Sequence, residues 1–69
     1  MNTEKIKKLI SNGFRPFAIR LSDGRKFNVP HPEFVAVGRN VVVVIDSHDV
    51  SHTIDALHIV SVEEKRSHK

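Results

Sequence analysis

Apolar residues change their period once along this chain, and that change divides it. Up to Asn12, Ile6, Leu9 and Ile10 recur at the three- and four-residue spacing of a helix stripe, while Lys5, Lys7 and Lys8 take the other faces. Asn2 or Thr3 suits the cap, Glu4 the positive first turn and Gly13 the position past the end, so a helix is predicted over 3–12. From Pro16 the period drops to two. Phe17, Ile19 and Leu21 alternate with Ala18, Arg20 and Ser22, and beyond Asp23-Gly24, Phe27 and Val29 alternate with Lys26 and Asn28. Alternation on both sides of an Asp-Gly pair predicts a β-hairpin. Pro30-His31-Pro32 removes two ladder donors and ends its second strand.

A single turn at Glu33-Phe34 then leads into Val35-Ala36-Val37, a turn at Gly38-Arg39-Asn40, and the strand Val41–Ile45. That strand is apolar on both faces. Val41, Val43 and Ile45 lie on one face and Val42 and Val44 on the other; one face can fill the core, and the residues of the other need a cover, the helix or a second subunit. Left bare, they would invite aggregation. Asp46–Thr53 reads as a polar loop, and Ile54–Val62 as a last strand kinked near Ala56-Leu57-His58. Residues 63–69 read as a frayed polar tail. The expected fold is mainly β: a short N-terminal helix followed by a five-stranded SH3-like small barrel, one domain over residues 1–62.

At 69 residues without cysteine, the chain has neither disulfides nor a Cys-based zinc site to supplement a small core, which favours burial between subunits. The longest apolar run is too short to cross a bilayer, and no secretory segment is visible, so a cytoplasmic protein without membrane partner is expected. Net charge is +3, unevenly placed: residues 1–26 carry seven Lys and Arg against two acids, and residues 41–62 carry three Asp and no Lys or Arg. A basic front half can steer an anionic polymer or dock one subunit on the next.

No nucleophile–histidine–acid pattern, glycine-rich phosphate loop or pair of facing carboxylates is present, so a nonenzymatic protein without cofactor is expected. A chain this short is not expected to enclose a ligand pocket, and no small-molecule substrate is evident. His48 and His52, with Asp46 and Asp49, have the spacing of metal ligands on a helix, but their stretch lacks helical periodicity. They read as a solvated loop, and no metal site is assigned. His31, held between two prolines, reads as a loop residue, and His58, between Leu57 and Ile59, as a packed or interface residue. With no Trp or Tyr and four Phe, any nucleic-acid binding is expected to show little base preference.

Four segments, Arg15-Pro16-Phe17, Leu21-Ser22-Asp23-Gly24, Val41–Ile45 and His58-Ile59-Val60-Ser61, resemble in order and spacing the bacterial Sm-like RNA chaperones of the Hfq family. The resemblance implies a ring in which the Val41–Ile45 edge pairs with a neighbour's final strand, with Val42, Val44, Ile59, Val60 and Val62 at the contact. It also implies RNA as ligand. Of the family's final-strand RNA residues only His58 matches, since Ala56 and Leu57 replace an aromatic and a lysine. The chain also looks like small bacterial proteins with an LSDGR…HPEF…LHIV pattern, which implies no activity. The expectation is therefore an oligomeric, nonenzymatic Sm-like binding module that contacts RNA through Lys7, Lys8, Arg25, Lys26, Arg39 and His58. The alternative is a protein-assembly domain with no nucleic-acid role.

Overall fold

The computed structural model describes residues 2–11 and 13–64. Helix α1 spans Asn2–Ser11, so Thr3 lies in its first turn and is buried, and Gly13 follows at φ +77°. The expected residue 12 lies outside the described residues. Ile6 is fully buried and Leu9 and Ile10 partly so, which seats the apolar stripe on strands of both sheets. No helix among the described residues is long and apolar enough to cross a membrane.

Among the described residues six strands follow: β1 (Phe17–Leu21), β2 (Lys26–Val29), β3 (Val35–Val37), β4 (Val41–Ile45), β5 (Ser51–Asp55) and β6 (Ile59–Glu64). They form two antiparallel three-stranded sheets, β2-β1-β6 and β3-β4-β5, rather than the expected closed five-stranded barrel. Two breaks account for the difference. Between β2 and β3, Pro30-His31 and a 3₁₀ turn at Pro32–Phe34 interrupt the ladder. Between β5 and β6, a second 3₁₀ turn at Ala56–His58 carries the chain from one sheet to the other. Asp55 Oδ1 accepts the Leu57 amide at 2.9 Å, and the Ala56 amide bonds Asn40 O at 3.0 Å. The predicted kink is thus a sheet crossing, and the predicted last strand is two strands.

The core contains Ile6, Phe17, Ile19, Leu21, Val29, Val42, Val44, Ile54, Ile59 and Val62. For β1 and β2 this matches the alternation. For β4 the inward face is that of Val42 and Val44, expected at a subunit contact: both are fully buried in the monomer, while Val43 and Ile45 are half-buried and Val41 is exposed. β4 is also the central strand of its sheet, paired with β3 on one side and β5 on the other, so it has no open edge for a neighbour. The polar stretch 51–53, expected in the loop, belongs to β5. His52 sits opposite Val44 in register, facing inward. β6 continues through Glu63 and Glu64, which pair with Ala18 and Phe17; the rest of the expected frayed tail lies outside the described residues.

Candidate functional site

The β1–β2 hairpin closes through a three-residue turn. The Leu21 amide donates to Arg25 O at 2.8 Å, the Gly24 amide to Leu21 O at 3.0 Å, and Gly24 sits at φ +95°. This is the geometry in which a turn ends on a left-handed residue, and glycine adopts it without steric cost. Asp23 locks the turn: Oδ1 accepts the Arg25 amide at 3.0 Å and Oδ2 the Arg25 Nε at 2.9 Å. The backbone bond from Arg25, aided by its guanidinium, holds the Asp23 carboxyl below its ordinary pKa.

His58 comes to the same place from the other end of the chain. Its carbonyl accepts the Ser22 amide at 2.8 Å, and its Nδ1 lies 3.4 Å from Ser22 Oγ. Between the hairpin turn and β5 lies an open hollow of about 610 Å³, lined among others by Ser22, Arg25, Ser51, His52, Thr53 and His58. Its donors are one guanidinium, two imidazoles and three hydroxyls. Its two carboxylates are already engaged, Asp23 by Arg25 and Asp55 by the Leu57 amide.

A row of contacts closes one side of this hollow. The Arg25 guanidinium carbon lies 5.7 Å from the centre of the Phe27 ring, which packs on His52 at a centroid separation of 4.7 Å. His52 Nε2 in turn lies 2.8 Å from Asp46 Oδ2. Asp46 Oδ1 accepts the amides of His48 at 2.8 Å and Val50 at 3.1 Å. Together, with the His52 contact foremost, these bonds lower the Asp46 pKa to about 2. Asp46 therefore organises the β4–β5 turn, and His48 and His52 lie on different elements. No group of three His, Asp or Glu able to hold a metal occurs among the described residues.

Beyond the row lies a second open hollow of about 640 Å³, with Phe27, Pro30, Phe34 and Ile45 among its lining residues. Both hollows are open surface depressions rather than enclosed pockets.

Of the six residues read as nucleic-acid contacts, Arg25 and His58 meet in the first hollow, and the others are dispersed. Lys26 lines the second hollow and reaches Glu63 at 4.0 Å. Glu63 also receives Arg20 Nε at 3.1 Å, and this bond is the main reason its pKa is lowered. Lys7 and Lys8 are exposed on α1, and Lys8 shares a shallow third hollow with Lys5, Arg15 and Glu64. Arg39 is exposed in the β3–β4 turn.

Of the five interface residues, Val42 and Val44 are in the monomer's own core, as are Ile59 and Val62. Only Val60 projects, 56% exposed at a bulge where β6 has one more residue than β1. Leu57, beside it, is 77% exposed. Ser51 and Thr53 were expected in a loop, Ser22 as an outward strand position and His52 as part of a solvated pair with His48, and none of these local readings carries a signal that they line one hollow. Only the pairing of β5 with β4 aligns them. Compared with protein-family models, curated proteins and solved structures, the chain matches none.

Proposed function

We propose that this protein is a nonenzymatic, Sm-like binding module that holds single-stranded RNA by its backbone, with a phosphate in the hollow between Arg25 and His58. The observation that carries this reading is that those two side chains, distant in sequence, line one hollow together with three hydroxyls. Guanidinium, imidazole and hydroxyl donors around an open cavity match the acceptor oxygens of a phosphodiester. Lys5, Lys7, Lys8 and Arg39 form no ion pair among the described residues and add a sequence-independent attraction. The strand order β6-β1-β2 followed by β3-β4-β5 also supports the Sm-like comparison, because within each sheet every pair but β1·β6 joins strands consecutive in the chain.

The test is fluorescence anisotropy with a mixed-sequence single-stranded RNA across a salt series. Binding weakens with salt, and a variant that neutralises one phosphate fewer has a log–log slope shallower by ~0.7. Arg25→Gln and His58→Ala each weaken binding, with the fold checked by circular dichroism. Wild-type protein that retains no RNA at low salt refutes the proposal. A second reading, assembly through protein contacts, is favoured by exposed Leu57 and Val60 beside the outer edge of β6. It predicts a Leu57- and Val60-dependent oligomer in light scattering, insensitive to RNA.

A further inference from the structure

The outer edge of β2 and the second hollow are contiguous, and neither is used by the RNA reading. In the hairpin, the Leu21–Arg25 backbone bond sets the phase of the ladder. Residues two and four positions on, Phe27 and Val29, turn their backbone groups toward β1 in the same phase, opposite Ile19 and Phe17. Lys26 and Asn28 turn theirs away. β2 is an edge strand, and among the described residues neither Lys26 nor Asn28 has a further backbone partner on that side. Such an edge is a template for another strand.

The hollow beside this edge has an apolar floor of Phe27, Pro30, Phe34 and Ile45, with His48 and Asp49 at its rim. Its free charge is negative although the chain as a whole is basic. Asp49 forms no ion pair among the described residues, whereas Asp46 is held by His52 and Lys26 lies 4.0 Å from Glu63. An extended chain lying along β2 presents alternate side chains to the hollow. The floor suits an apolar side chain, and Asp49 suits a cation two positions from it.

We propose that the β2 edge and this hollow dock an extended segment of another protein, added as a fourth strand, with an apolar residue on the Phe27–Phe34 floor and an Arg or Lys facing Asp49. Main-chain pairing supplies affinity and the hollow supplies selection.

The experiment uses the intact protein and a synthetic capped peptide in which threonine alternates with leucine, arginine and leucine. Two controls replace the arginine by glutamate, or N-methylate the amides that would pair with β2. The arginine peptide is expected to shift the amide resonances of Lys26, Asn28 and Asp49 and to slow hydrogen exchange at Lys26 and Asn28. The glutamate peptide and Asp49→Asn each lose about tenfold in affinity, and the N-methylated peptide does not bind. His58→Ala, which lies outside the second hollow, leaves peptide binding unchanged, so failure here and failure of the RNA reading are separable. Equal binding of arginine and glutamate peptides, or shifts elsewhere with no added protection in β2, overturns the proposal. So does protection of Lys26 and Asn28 without peptide in a concentration-dependent dimer.

Discussion

Gly24 and Asp49 occupy the same place in two turns of one design. In the second turn the Asp46 amide donates to Val50 O at 2.9 Å and the Asp49 amide to Asp46 O at 3.0 Å, repeating the Leu21–Gly24–Arg25 pattern. Asp49 takes the left-handed position at φ +65°, which Gly24 fills without cost. A Cβ at Gly24 would meet nothing within 4 Å, so Gly24→Ala tests conformation alone. Chemical denaturation of that variant is expected to show a loss of about 1 kcal/mol. Asp46 sets a pH dependence. Its folded pKa, about 2, lies below the ordinary 3.8, so its contribution is present above pH 3.8 and is lost as pH falls toward 2. In an acid titration followed by circular dichroism, Asp46→Asn is expected to flatten the loss of stability across that interval. Asp23 and Glu63, also lowered, keep part of it.

The elements whose sequence period matched their surroundings were read correctly. The stripe Ile6, Leu9 and Ile10 gave α1, and the alternation around Asp23-Gly24 gave β1 and β2. β4 defeated the same reasoning because a strand of five β-branched residues has no polar phase to fix its inner face. The neighbours decided it: Val42 faces Ile54 across the ladder and Val44 faces His52, and these inward positions close the core. The consequence is testable. Val42→Lys buries a charge at a cost of several kcal/mol, comparable to the whole stability of so small a domain, and is expected to abolish the cooperative melt. Val60→Lys, at an exposed bulge, leaves the melting temperature nearly unchanged and alters only any assembly that uses β6. The 3₁₀ crossing after β5 relies on one cap, so Asp55→Ala is expected to cost about 1 kcal/mol by thermal melting.

Over the whole molecule, the uneven charge of the sequence does not become one basic face. Arg15 meets Glu64, Arg20 and Lys26 meet Glu63, and Arg25 meets Asp23, which leaves the lysines of α1 and Arg39 without ion pairs among the described residues. The fold therefore disperses the residues expected to contact nucleic acid: Lys7, Lys8 and Arg39 stay unpaired among the described residues at separate places, while Arg25, paired with Asp23, lines one hollow with His58. The helix, the first hairpin, the proline break after β2 and the mainly β class are legible in the residues alone. Each of these follows from local steric rules and a periodicity contained within a few neighbouring residues. The folded chain adds that Val42 and Val44 face inward, that Ile54–Val62 divides between two sheets, and that His52 is held by Asp46 against Phe27. It also set Ser22 and Arg25 opposite His58. Those outcomes depend on which strands pair and in what register, and that is settled by the joint burial of residues far apart in the chain, for which no local spacing carries a signal.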